Sequence, residues 1–156
     1  MAKRAVLDAS IAIKWFLRDS LETNIDKAER ILLLLLNGDL ELHAPRIFTY
    51  EVCGAMAKAC AHRLAGNKAP RMTMEFAVRC VKELFQLPIQ VEGSDEQEAI
   101  EALELAVTYG KGHYDMTYLS LARKMNCEWL TADEKVLLAA PAGFPTKQIV
   151  LLSSFT

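Results

Sequence analysis

Short apolar stretches typical of buried strands alternate along this chain with longer stretches that have a helical pattern. The first apolar run, residues 5–7, ends at Asp8, and a helical pattern over 10–17 follows it at once. Further strands are predicted at 40–44, 89–91, 128–130 and 148–152, and further helices at 22–36, 49–64, 70–87, 94–109, 114–125 and 132–140. Strands that alternate with helices are typical of an α/β domain with a mostly parallel sheet. We therefore predict one such domain over residues 1–156.

Capping residues indicate where several of these helices begin and end. Ser10 has the residue type of an N-cap for the first helix. Residues 94–97 read as a capping box in which Ser94 would cap the helix. Asn37-Gly38 is a left-handed stop signal at the end of the second helix. These signals set the predicted boundaries of three helices.

The composition excludes a disordered chain and gives no sign of a membrane protein. Of the 156 residues, 52% are hydrophobic and 24% are charged, which is ordinary for a folded domain. The longest aliphatic run, 31–36, is too short to span a bilayer, and no signal-peptide pattern follows Met1, so we expect a cytoplasmic protein. The four cysteines form no CxxC pair, which predicts reduced thiols and no zinc site. The formal net charge of −2 does not by itself indicate a nucleic-acid partner.

Four acidic residues stand at predicted strand ends or helix starts. Asp8 directly follows the first strand, and Asp133 comes just after a later one. Glu51 lies in the first turns of the helix after the second strand, and Asp115 lies in the first turn of a helix that follows a glycine-containing break. Open α/β sheets collect their functional groups at the carboxyl ends of the strands. These positions predict that the four carboxylates meet at one edge of the sheet.

Two of the four acids, Asp115 and Asp133, also have a purely structural interpretation. Acids at helix starts commonly cap the helix or interact with its dipole, and Asp115 taken alone fits that role. For Asp133, a helix cap is as good an interpretation as a metal ligand. Glu51 is different, because neighbours such as Val52 and Ala55 are apolar and an unpaired carboxylate is costly to bury. We therefore expect Glu51 to have a partner.

A cluster of carboxylates favours a particular kind of metal ion. Like charges held close together raise each other's pKa values and destabilise the fold unless a cation is present. Oxygen ligands without His or Cys select hard ions such as Mg²⁺ or Mn²⁺ over zinc. Such ions polarise a phosphodiester, help to ionise an attacking water and stabilise the entering and leaving oxygens. The four acids therefore suggest metal-dependent phosphodiester chemistry.

Four segments resemble the acidic motifs of PIN-domain proteins, especially the VapC-type toxins of toxin–antitoxin pairs. They come in the family's order and cover residues 6–17, 45–55, 114–122 and 130–135. The resemblance implies a three-layer α/β fold in which helices surround a parallel sheet of about five strands. Many relatives carry an asparagine three residues after the glutamate, where this chain has Gly54. This departure weakens the second motif but removes no carboxylate.

The same resemblance implies an activity and a set of site residues. It implies a Mg²⁺- or Mn²⁺-dependent endoribonuclease, the toxin of a type II toxin–antitoxin system, which would cut tRNA, rRNA or mRNA. The acidic metal and catalytic site would be formed by Asp8, Glu51, Asp115 and Asp133, with Ser10 and Thr131 as supporting hydroxyls. The implied partners are the RNA substrate, an antitoxin protein and a second copy of the chain in a homodimer.

Several residues near these motifs could contact RNA or a partner. Lys14, Arg46 and Lys135 are candidates for contacts with RNA phosphates, and solvated surface charge is the alternative for each. Trp15 could stack on a base, but its place in the helical pattern favours core packing. The run 31–36 covers every side of its helix, which predicts a helix either fully buried or in contact with a partner such as an antitoxin.

Two other functions stay open from the sequence. An inactive PIN-like module could bind RNA or protein without cleaving it, although the four retained acids favour activity. A Mg²⁺-dependent phosphatase of the haloacid-dehalogenase type also has an aspartate after its first strand. That family uses Asp-x-Asp, however, and here the second position is Ser10. Cleaved RNA, intact bound RNA or released inorganic phosphate would distinguish the three functions.

Overall fold

Five parallel strands form the sheet in the computed structural model of the protein, which describes residues 2–61 and 69–156. The strands are β1 (Lys3–Leu7), β2 (Leu40–Pro45), β3 (Gln90–Glu92), β4 (Glu128–Thr131) and β5 (Ile149–Leu151). Their order across the sheet is β3-β2-β1-β4-β5, and each neighbouring pair is parallel. The prediction of an α/β fold with about five parallel strands is confirmed.

Helices cover the sheet and pack on one another. In the described part of the chain they are α1 (Ala9–Phe16), α2 (Ile25–Leu36), α3 (Ile47–Cys60), α4 (Met74–Leu84), α5 (Glu96–Tyr109) and α6 (His113–Lys124). α6 packs on β1, β2 and β4 and against α5, while α1 contacts α2 and α3. Helices and sheet form the three layers expected for this fold.

The direction in which the sheet grows reverses next to β1. The chain adds β2 and β3 on one side of β1 and then returns to place β4 and β5 on the other side. β1 and β4 are in register with Leu7 opposite Leu130, and the amide of Asp8 continues the pairing by donating to the Leu130 carbonyl at 2.9 Å. A crevice forms outside the carboxyl ends of the strands at such a reversal. Asp8 therefore stands at the place where an α/β sheet binds its ligands.

The central strands are buried, as expected when helices cover both faces of a parallel sheet. Residues 5–7 of β1 lie in the core together with Trp129 and Leu130 of β4. Trp15 of α1 is buried as well, and its indole Nε1 donates to the backbone oxygen of Ala28 at 2.8 Å. The prediction that Trp15 packs in the core is confirmed.

Aspartates cap two helices for which the sequence suggested serines. Asp8, not Ser10, is the N-cap of α1, and its side chain accepts a hydrogen bond from the Ser10 amide at 2.8 Å. Asp95, not Ser94, is the N-cap of α5, and its side chain accepts from the Glu98 amide at 2.8 Å. An ionised carboxylate is a stronger acceptor than a hydroxyl, which favours the aspartate where both stand near the start of a helix.

The helix predicted over 132–140 is wrong. Only a 3₁₀ turn, Glu134–Val136, forms there. Ala139 has a left-handed backbone (φ 49°), and Pro141 follows two residues later. Neither feature is compatible with a continuing helix, so the segment after the turn is irregular.

Several other helix boundaries differ from the prediction, among them the start of α3 at Ile47 (predicted 49) and the end of α4 at Leu84 (predicted 87), and one falls outside the described residues. α2 begins at Ile25 and not at residue 22, because Asn24 takes a left-handed conformation (φ 54°) just before it. α4 begins at Met74 and not at residue 70, since Thr73 is its N-cap. The predicted end of α3 at Leu64 lies outside the described residues.

The leucine-rich run 31–36 of α2 is only partly buried. Ile31 and Leu35 belong to the core, whereas Leu33 and Leu36 are more than half exposed. The alternative of a fully buried helix is therefore wrong, and contact of this helix with a partner stays a prediction. In the part of the chain that the structure describes, no helix is long and apolar enough to cross a membrane.

Candidate active site

Asp8 is the most deeply buried of the four predicted acids. Its Oδ1 accepts the Ser10 amide at 2.8 Å, and its Oδ2 accepts the indole Nε1 of Trp129 at 3.0 Å. Burial raises the pKa of Asp8 even though hydrogen bonds from Ser10, Trp129 and Thr131 oppose the shift. Both oxygens are thus held in place by neutral donors. These hydrogen bonds offset only part of the free-energy cost of burying the charged carboxylate.

Glu51 has the partner that its apolar surroundings required. It lies on α3, and the hydroxyl of Tyr118 on α6 donates a hydrogen bond to its Oε2. Burial raises the pKa of Glu51, the Tyr118 bond opposes this, and the charges of Asp8 and Asp115 raise the pKa further. The charges of both aspartates therefore act on Glu51.

Asp115 lies in the first turn of α6, as predicted. Burial and the charges of Asp8 and Asp133 raise the pKa of Asp115, and only the ammonium of Lys111 lowers it. Its carboxylate accepts no hydrogen bond from the described residues. A Cβ at Gly112 would come within 3.1 Å of Asp115 Oδ2, so the glycine leaves room for this carboxylate.

Asp133 follows β4 and caps the turn after it. Its Oδ1 accepts the Lys135 amide at 2.9 Å, and its own amide donates to Thr131 Oγ1 at 3.1 Å. The structural interpretation of Asp133 as a cap is therefore correct. Its charge still reaches the cluster, because it raises the pKa of Asp115.

Ser10 and Thr131 connect the two strand ends that carry Asp8 and Asp133. The amide of Ala132 donates to Ser10 Oγ at 2.9 Å, and the hydroxyls of Ser10 and Thr131 lie 3.4 Å apart. Neither side chain is exposed to the extent of a surface residue, so the link is sheltered from water. The two hydroxyls thus help to hold the strand ends together, and their role as supporting groups of a metal site stays a prediction.

In the described part of the chain, the four acids share the lack of a basic ion-pair partner. Within residues 2–61 and 69–156, none of them forms an ion pair with a lysine or arginine, whereas the part-buried Glu22 is paired with both Lys14 and Arg71. The carboxylates next to the β1–β4 crevice thus repel one another, and although Lys111 lowers the pKa of Asp115, no basic side chain of the described residues pairs with any of them. Such a site is electrostatically suited to an external cation.

The donor set fits a hard divalent ion in type and charge, although the side chains do not form a closed cage. Among the described residues, no three or more acidic, histidine or cysteine side chains are arranged to hold one ion directly. Mg²⁺ commonly binds through one or two carboxylates and keeps several of its waters. The geometry is therefore compatible with an ion held partly through water.

The three predicted RNA-contacting cations are placed differently from one another. Arg46 and Lys135 are exposed near the carboxyl ends of β2 and β4. Lys14 is buried, and its Nζ donates to Glu22 at 2.9 Å. The interpretation of Lys14 as a phosphate contact is therefore replaced by a structural one, because its charge is already paired inside the protein.

Sequence reasoning missed three residues that contact the acids or influence them. Tyr118 and Trp129 donate to Glu51 and Asp8, and Lys111 acts on the pKa of Asp115. Lys111 is fixed by hydrogen bonds to the carbonyl oxygens of the segment after β4. The available signal was that a tyrosine or tryptophan in a buried segment needs an acceptor for its polar group.

Comparison with known families decides how the site is to be interpreted. Residues 5–142 match the sequence profile of the PIN domain. The chain belongs to the PIN-domain family. The match covers most of the chain, and it confirms the resemblance that the four motifs of this PIN domain suggested. No curated protein matches the chain.

Solved structures with the same fold include a toxin–antitoxin complex and a toxin. A toxin–antitoxin complex from Klebsiella pneumoniae is 17% identical, covers 95% of this chain and 97% of its own, and has a TM-score of 0.60. VapC20 of Mycobacterium tuberculosis, a toxin that cleaves the sarcin–ricin loop, is 16% identical over 86% of this chain and 94% of its own, with a TM-score of 0.60. VapBC2 of Rickettsia felis, bound to a DNA fragment from its promoter, is 14% identical over 95% and 98%, with a TM-score of 0.61. At these identities the likeness establishes the fold of this PIN domain.

Proposed function

We propose that this PIN domain is a Mg²⁺- or Mn²⁺-dependent endoribonuclease and the toxin of a toxin–antitoxin pair. The observation that carries the proposal is the group Asp8, Glu51 and Asp115, three carboxylates whose charges oppose one another and which form no ion pair with a lysine or arginine of the described residues. Oxygen donors of this kind favour hard divalent ions. The domain family and the toxin structures that share its fold support the same assignment.

The four acids would have different roles in binding the ion. Asp8 and Glu51, each fixed by neutral donors, would hold the ion in one position, and Asp115 and Asp133 would complete its surroundings directly or through water. When bound, the ion supplies charge stabilisation at the scissile phosphate and a more acidic water.

The RNA backbone would approach the site past two exposed basic residues, Arg46 and Lys135. Arg46 and Lys135 lie next to the acids in sequence and are exposed, so they are the candidates for phosphate contacts. An antitoxin and a second copy of the chain are the proposed protein partners. The exposed Leu33 and Leu36 of α2 support a protein contact on that helix.

The alternatives are weaker on specific grounds. An inactive binding module would have no use for mutually repelling carboxylates beside a polyanion, since they lower its stability and its RNA affinity. In a phosphatase that uses Asp-x-Asp, the second acid would take the place of Ser10. Here that hydroxyl accepts the Ala132 amide and stands beside Thr131, which is a structural arrangement.

Cleavage of end-labelled RNA by the purified protein, with Mn²⁺, with Mg²⁺ or with EDTA, tests the proposal. The variant to use first is Glu51→Gln, because glutamine removes the charge but its carbonyl oxygen can still accept the hydrogen bond from the Tyr118 hydroxyl. Asp8→Asn is less suitable, since both oxygens of Asp8 accept N–H donors and an amide can satisfy only one of them.

Asp39→Asn, an exposed acid outside the site, is the matched control. We expect the wild type and Asp39→Asn to cut RNA only with a divalent ion, and Glu51→Gln to lose at least a hundredfold in rate. Cutting that persists in EDTA, or at an equal rate in Glu51→Gln, would rule out the proposed site.

A further inference from the structure

Two buried aromatic side chains stack on each other behind the acids. Tyr118 of α6 is 1% exposed and Trp129 of β4 is fully buried, and their rings are nearly parallel, with 5.8 Å between centroids and 8° between planes. The centroid distance is that of an offset stack, which is a favourable arrangement for two rings. The pair therefore joins a helix and a strand rigidly at the floor of the site.

Each ring directs its single polar group at a different acid. The Tyr118 hydroxyl donates to Glu51 Oε2, and the Trp129 indole Nε1 donates to Asp8 Oδ2 at 3.0 Å. A buried tyrosine or tryptophan needs an acceptor, and a backbone carbonyl can serve. Trp15 and Tyr109 use such carbonyls, those of Ala28 and Gly143. The stacked pair differs from these anchors because both of its acceptors are predicted metal ligands.

Both donors are neutral, which matters for a site that must attract a cation. A tyrosine hydroxyl, with an ordinary pKa of about 10, and an indole N–H are both uncharged donors near neutral pH. A lysine or arginine in the same place would fix the carboxylates equally well, but it would cancel their charge and compete with the ion. Neutral donors fix the direction of a carboxylate and leave its charge available.

We propose that the stacked pair Tyr118–Trp129 consists of positioning residues that hold the carboxylates of Glu51 and Asp8 at a fixed separation for a divalent cation. This rests on the proposed metal-dependent function. Because the rings pack on each other, a shift of either ring moves both carboxylates. The pair therefore sets the spacing between the two acids, in addition to the orientation of each.

Mn²⁺ binding to the full chain without RNA, measured by isothermal titration calorimetry, is the test. Tyr118→Phe keeps the ring and the stack and removes only the hydroxyl, and Trp129→Phe removes the indole N–H. We expect each variant to bind Mn²⁺ about tenfold more weakly than the wild type, which is the usual effect of losing a hydrogen bond to a ligand. Melting temperatures in EDTA report separately on any loss of stability.

Two matched controls separate positioning from general destabilisation. Tyr109→Phe and Trp15→Phe make the same chemical changes at donors that bond to backbone carbonyls. We expect both controls to bind Mn²⁺ like the wild type, whatever happens to their melting temperatures.

The possible outcomes distinguish this inference from the function on which it rests. If the wild type binds Mn²⁺ and Tyr118→Phe binds it equally well, the positioning role is wrong and the proposed function stands. If the controls weaken binding as much as the variants of the stacked pair, the effect is general loss of stability and the positioning role is again wrong. If the wild type binds no Mn²⁺, both the inference and the proposed function are wrong.

Discussion

Lys14 and Glu22 form an ion pair of 2.9 Å in which the side chains are only 10% and 16% exposed. Arg71 also donates to Glu22, at 2.7 Å. Although burial opposes them, the hydrogen bonds from Arg71 and Lys14 hold the pKa of Glu22 below its usual range. The pair ties α1 to the segment before α2, and this explains why a lysine beside the first acidic motif is not available to RNA.

Replacing Lys14 should therefore affect stability and leave RNA binding unchanged. We expect Lys14→Met to lower the free energy of unfolding by about 1–3 kcal/mol, because Glu22 would keep only Arg71 as a partner in a largely buried place. Thermal denaturation at pH 7 measures this, with the exposed Lys147→Met as the control. If Lys14→Met melted at the wild-type temperature but bound RNA more weakly, Lys14 would be a phosphate contact and this explanation would be wrong.

The exposed cations Arg46 and Lys135 should behave in the opposite way. We expect Arg46→Ala and Lys135→Ala to weaken RNA binding in EDTA without lowering the melting temperature. Each should reduce the slope of log affinity against log salt concentration by about 1, as the loss of one phosphate contact does. Unchanged affinity and slope in both variants would place the RNA on another face of the domain.

Gly54 stands where many family members carry asparagine, and the space around it is open. A Cβ there would meet nothing within 4 Å. Because glycine inside a helix costs about 0.5–1 kcal/mol relative to alanine, we expect Gly54→Ala to stabilise the protein by that amount. Chemical denaturation measures the change, and Gly110→Ala, at a backbone φ of 61°, should destabilise it instead. A loss of stability in Gly54→Ala would show that the open space is needed.

Glu98 provides a pH-dependent prediction away from the site. It is buried, and burial raises its pKa although Lys124 opposes the shift. A carboxyl whose pKa is higher in the folded state favours folding below its unfolded pKa of about 4.3, and this contribution is lost as the pH rises through the folded pKa. We expect Glu98→Gln, which stays neutral, to melt above the wild type at pH 8 and to lose this advantage near pH 4. An advantage that is independent of pH would contradict the explanation.

The sequence was informative about strands and acids because local rules place them. Apolar runs between turn residues predicted all five strands, and strand-end or helix-start positions predicted where Asp8, Glu51 and Asp115 would lie. The failures involve choices between nearby capping residues, such as Asp8 over Ser10, or backbone conformations such as that of Ala139.

Contacts between distant parts of the chain could not be predicted in the same way. The Tyr118–Glu51 and Trp129–Asp8 bonds join residues 67 and 121 positions apart. A buried aromatic residue predicts that an acceptor exists but not which one it is, since that depends on tertiary packing. The same holds for Lys14, because its partner Glu22 comes within reach only through the path of the segment before α2.

The response of the melting temperature to Mn²⁺, compared between the wild type and Asp115→Asn, tests the central claim most directly. Asp115 is half-buried among like charges, so in EDTA we expect the asparagine variant to melt above the wild type. At a hundredfold excess of Mn²⁺ over its dissociation constant, the wild type should gain about 2.7 kcal/mol, and the variant should gain much less. Equal gains in both proteins, or no gain in the wild type, would contradict the assignment of these carboxylates as a metal site.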